Sequence, residues 1–77
     1  MKNILEEIDY WKEKDGKEGL YNTWAMRNTL KETLIGFKER EEGIENPTLP
    51  EEEYQSKLKR CNLSREELLK LLESGDY

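Results

Sequence analysis

Not one of the 77 residues is valine, and isoleucine and threonine supply only four each. Strands draw on β-branched side chains, which pack well on a pleated surface, so this chain has little to build a sheet from. No stretch alternates apolar and polar residues with the period of two that a half-buried strand needs. The apolar residues recur three and four apart instead, the period of an amphipathic helix. The fold class that follows is all-α. A small single domain spanning residues 1–77 is expected, with three to four helices: a hairpin of two helices, then two shorter C-terminal helices packing across it.

Capping residues and breakers set the boundaries. Asn3 with Glu6 three positions on resembles a capping box, and Ile4, Leu5, Ile8 and Trp11 share one face, which predicts a first helix over about 3–14. Asp15-Gly16 breaks it, and Gly16–Gly19 reads as a short turn. A second helix follows over about 20–42, where Leu20 and Trp24 begin one stripe and Met26, Leu30, Leu34 and Phe37 form another. Tyr21, Ala25 and Ile35 widen the apolar surface beyond a single narrow seam, and such breadth implies contact with two neighbouring elements or with another chain. Gly36 weakens this helix and is read as a site of close packing or a bend. Thr48-Leu49-Pro50-Glu51 has capping-box spacing and predicts a third helix over about 49–61. Ser64-Arg65-Glu66-Glu67 is a second capping box with Leu63 and Leu68 placed as a hydrophobic staple, and Gly75 stands where a helix ends. The fourth helix is therefore expected over about 65–73.

Size and charge then limit function. A domain this short buries only about 60% of its unfolded surface, which supports one core and no deep substrate pocket. The net charge is −5. Residues 1–40 carry eight basic and eight acidic side chains, whereas residues 41–77 carry five and ten, so the whole excess lies in the second part. That balance disfavours a nucleic-acid backbone and an anionic lipid surface as partners. It favours a protein partner with a basic surface. A lone Cys61 permits no intrachain disulfide and is read as a small buried hydrophobe. With no signal-type segment and no long apolar run, the expected location is cytoplasmic.

The chemistry of catalysis is scarce. Histidine is absent, which removes the usual general base at neutral pH and the commonest transition-metal ligand. One cysteine does not make a structural zinc site, and no phosphate-cradling or calcium-binding loop is present. No enzymatic activity, cofactor or metal is expected. Gly16-Lys17-Glu18-Gly19 has the GXXG spacing of KH nucleic-acid-binding loops, but that fold also needs strands, so a plain turn is the reading kept. The stretch from Leu58 to Leu72, with its Leu-Ser-x-Glu-Glu-Leu segment, resembles the first two helices of repressor-type helix-turn-helix domains. The resemblance implies DNA binding through a recognition helix, which does not follow before Tyr77. DNA binding accordingly ranks last among the functional expectations.

Two groups of residues remain as candidate partner-binding sites. Tyr10, Trp11, Tyr21 and Trp24 flank the Gly16–Gly19 turn, and a folded-back hairpin brings them together near its closed end. They either seal a small core or form an interface hot spot, since Trp and Tyr dominate such sites. Glu41, Glu42, Glu45, Glu51, Glu52 and Glu53 lie in a stretch without a basic residue. They form either a solvated connector with helix-capping chemistry or a negative patch that imitates nucleic-acid phosphates before a DNA-binding protein. The function expected is a non-enzymatic regulator or inhibitor that binds a protein, of the small acidic type familiar among phage host-takeover factors and small bacterial regulators. The alternative is a structural or assembly protein that homodimerises through the long second helix.

Overall fold

The computed structural model describes residues 3–14 and 16–75. They form four helices, α1 (Ile4–Lys12), α2 (Lys17–Glu41), α3 (Glu51–Cys61) and α4 (Arg65–Ser74), and contain no strand. Each expected helix exists, and the boundaries differ by no more than three residues.

Local chemistry sets most of these ends. Asn3 caps α1, its Oδ1 accepting from the Glu6 amide at 3.0 Å. The helix closes at Lys12 because Glu13 and Lys14 donate to the carbonyls of Tyr10 and Trp11, three residues back, in a tighter final turn. At α4 both halves of the Ser64 capping box form, the Glu67 amide donating to Ser64 Oγ and the Ser64 amide to Glu67 Oε1. Gly75, at φ +66°, stops that helix in the left-handed region as expected.

Two starts differ from expectation. α2 begins at Lys17, so Lys17, Glu18 and Gly19 are its first turn and not a loop. Gly16, at φ +94°, takes part in the reversal, and Asp15 lies outside the described residues. Gly19 serves packing: a Cβ there would stand 2.8 Å from the Trp11 carbonyl oxygen, so its absence lets α2 start against the end of α1. The other correction concerns α3, which starts at Glu51 behind Pro50, with no side-chain cap. The Thr48 amide and hydroxyl both donate to Glu39 Oε2 on α2, at 2.9 and 3.0 Å, so Thr48 ties the connector down and caps nothing.

α2 is the spine. Trp11 lies near Gly19–Thr23 while Ile4 lies near Ala25–Thr29, so α1 runs back along α2 as the expected hairpin. α3 also runs opposite to α2, with Glu51 against Arg40, Tyr54 against Gly36 and Lys57 against Glu32. The core draws on all four helices: Ile4 and Ile8, then Leu30, Leu34 and Phe37, then Tyr54 and Cys61, then Leu68. Thr33 is buried among them, its hydroxyl donating to the Thr29 carbonyl at 2.8 Å and lying 3.4 Å from Cys61 Sγ. The molecule measures 42 × 23 × 22 Å, and α2, at about 1.5 Å per residue, accounts for the long axis. No described helix is long and apolar enough to cross a membrane.

The α2–α3 contact is built around Gly36. A Cβ at that position would stand 2.7 Å from Tyr54 Cδ1, so the Tyr54 ring rests on bare backbone. On this ring lies the Arg40 guanidinium, 4.0 Å from the ring centroid. Arg40 donates to Glu51 Oε2 at 2.8 Å, the Leu49 carbonyl at 3.0 Å and the Gly36 carbonyl at 3.1 Å. One side chain thus fixes the start of α3 and the end of its connector against α2.

Candidate functional site

The two stripes of α2 part company in three dimensions. Leu30, Leu34 and Phe37 are buried, whereas Leu20, Tyr21 and Trp24 are 75%, 69% and 65% exposed. Ile35, further along the same outward side, is 54% exposed. The second stripe faces solvent, and no other element of the described chain covers it. Leu20, Tyr21 and Trp24 border an open, shallow groove together with Arg27 and Lys31. Exposed apolar side chains are ordinary singly, but three within five residues on one helix side form a contiguous patch.

The four aromatic candidates do not gather into one cluster. Tyr10 and Trp11 meet edge to face, with ring centroids 5.2 Å apart at 83°, and Lys14 Nζ lies 4.9 Å from the Tyr10 centroid. Trp11 is half-buried and borders a small groove with Gly19, Leu20 and Arg27. Tyr21 and Trp24 line the larger groove, and Leu20 joins the two. None of the four is buried, so they do not seal the core. That task falls to Ile4, Ile8 and the aliphatic side of α2.

The six acidic candidates divide as well. Glu41 accepts two hydrogen bonds from Arg65, at 3.0 and 3.1 Å, and joins α4 to the end of α2. Glu51 accepts from Gln55 and Arg40, and these hydrogen bonds hold its pKa below the ordinary carboxylate value. Both belong to the scaffold. Glu42, Glu45 and Glu52 are exposed and have no side-chain partner among the described residues. Glu53 is exposed and adds to the effect of Glu32, whose hydrogen bond with Lys57 raises that lysine's pKa. The negative surface is therefore smaller than the sequence count implies.

Cys61 is fully buried, as the sequence reading expected, and burial pushes its thiol pKa up. A reactive thiol needs the opposite environment, exposed and electropositive. No group of three or more potential metal ligands occurs among the described residues.

Residues that the sequence reading passed over complete the outer face. Lys17, Arg27, Lys31 and Lys38 are exposed on it, and none has a carboxylate partner among the described residues. Counting charge by halves of the chain concealed them, because the acids that balance them numerically point elsewhere. Plotting the segment at the helical angle finds the pattern. No family model, characterised protein or solved structure matches this chain.

Proposed function

We propose that this chain is a non-enzymatic regulatory protein that binds a protein partner through the outer face of α2. The observation that carries the reading is the exposure of Leu20, Tyr21 and Trp24 side by side on a helix whose opposite side holds the core. Leaving three large apolar groups in water is unfavourable by roughly 25 cal/mol for each Å² of apolar surface that a partner would cover. Trp and Tyr carry a disproportionate share of energy at interface centres. The charge excess beyond residue 40 supports a second contact, in which Glu42, Glu45, Glu52 and Glu53 meet a basic area of a partner surface.

The test is affinity capture with the intact chain beside Tyr21→Ala/Trp24→Ala and Glu52→Lys/Glu53→Lys. Loss of the captured protein with the aromatic variant alone supports the α2 face. Loss with the lysine variant alone moves the interface to the acidic end. Undiminished capture by both removes the proposal. Homodimerisation through α2, the assembly reading, predicts instead a dimer of the free protein in light scattering, converted to monomer by the aromatic variant.

A further inference from the structure

We infer that the outer face of α2 seats an acidic amphipathic helix of a partner protein. This rests on the reading of that face as the docking surface and adds the chemistry of what docks there. At about 3.6 residues per turn, Lys17, Arg27, Lys31 and Lys38 fall within the same third of the helix circumference as the exposed apolar residues. No Asp or Glu falls in that sector between Lys17 and Lys38. Four of the other cations, Arg40, Lys57, Arg60 and Arg65, each hold a carboxylate within 3.0 Å. A chain of net charge −5 thus presents an unneutralised basic and apolar strip. Its complement carries apolar side chains and carboxylates together on one helix face.

The spacing calls for a helix. Leu20, Trp24, Arg27 and Lys31 are four, three and four residues apart, the repeat of a seam between two helices, and all four border the groove. The groove between Tyr21, Trp24 and Lys31 is the hole for a partner's projecting side chain. A second copy of this chain fits less well. In an antiparallel pair each flank meets its own kind, which would oppose the Arg27 and Lys31 side to itself. A long polyanion or a bilayer also fits less well, because beyond Lys38 the same face reaches Glu42, with Glu45 in the connector that follows. A helix matching the strip, about 30 Å long at 1.5 Å per residue, stops before those carboxylates.

The experiment is selection of a displayed random library of helix-forming peptides against the intact protein. The expected winners repeat apolar residues at helical spacing, carry a surplus of Asp and Glu, and lose at least tenfold in affinity to Arg27→Glu/Lys31→Glu. Both positions are exposed, and a helical circular dichroism spectrum confirms that this variant folds. Winners that are neutral or basic, yet still need Trp24, overturn the acidic helix and leave the docking surface standing. Winners indifferent to Tyr21→Ala/Trp24→Ala remove both. An empty selection overturns the inference, as does binding of single-stranded DNA, phosphatidylglycerol vesicles or a second copy through the same residues.

Discussion

At the scale of single residues, the two glycines within α2 do opposite work to what helix propensity suggests. Alanine is favoured over glycine in a helix interior by roughly 1 kcal/mol, so Gly36→Ala looks stabilising until its neighbour is considered. The new Cβ would stand 2.7 Å from Tyr54 Cδ1 and 3.4 Å from Arg40 Nη1, and that ring is buried and held by the stacked Arg40 guanidinium, so it has little room to withdraw. Overpacking of this kind costs about 1–3 kcal/mol, and with the propensity gain the net is a loss of up to about 2 kcal/mol, read from urea midpoints. A gain in stability would show that the Tyr54 ring moves freely. Cys61 makes a second prediction. Burial raises its pKa in the folded chain, so folding favours the neutral thiol. The stability this contributes is complete below the pKa of the unfolded thiol, about 8.5, and declines as pH rises through that value toward the folded one. Tyr54, also raised by burial, acts in the same direction at higher pH. Stability curves at rising alkaline pH should fall more steeply for the natural chain than for Cys61→Ala, and parallel curves would contradict the assignment.

At the scale of elements, what decides legibility is how far away an end's partner lies. α1 and α4 were readable because Asn3 and Ser64 find their partners three residues on, where a spacing rule reaches them. Ser64→Ala should therefore cost about 1 kcal/mol, the usual value of an N-cap, seen as a lower unfolding midpoint with α4 amides exchanging faster than those of α2. Equal exchange would mean that packing of Leu68 alone holds the helix. The start of α3 was not readable, because the Thr48 hydroxyl that fits a capping box locally is taken by Glu39, a contact made only once the connector has folded back. The start of α2 was missed for a related reason. Glycine signals both chain reversal and close approach, and only the neighbouring carbonyls of Lys14 and Trp11 show that Gly19 does the second. The aromatic candidates illustrate the same limit: helical spacing put Trp24 on a stripe, but which stripe meets the core depends on where α1 and α3 lie.

At the scale of the whole molecule, stability and recognition are assigned to opposite sides of one helix. The core side of α2 gathers α1, α3 and α4, while its outer side holds Leu20, Tyr21 and Trp24 in water beside cations that have no carboxylate partner among the described residues. In so small a domain the two roles would ordinarily compete, because every large apolar residue left outside is lost to the core. The separation is testable in one variant. Leu20→Gln/Tyr21→Gln/Trp24→Gln removes the exposed apolar groups and keeps side chains of good helix propensity. Substitutions outside buried or strained positions usually change stability by less than about 0.5 kcal/mol, so this triple variant should unfold within that margin of the natural chain. It should also tolerate higher concentrations before aggregating, since the contiguous apolar patch is gone. Trp11 remains as the only indole, and as a half-buried ring it should be less accessible to a soluble quencher than the natural pair. A large loss of stability would mean that Leu20, through the small groove it shares with Trp11, locks α1 onto α2. The apolar face would then belong to the hairpin, and the partner would have to be sought at the carboxylates of Glu42, Glu45, Glu52 and Glu53.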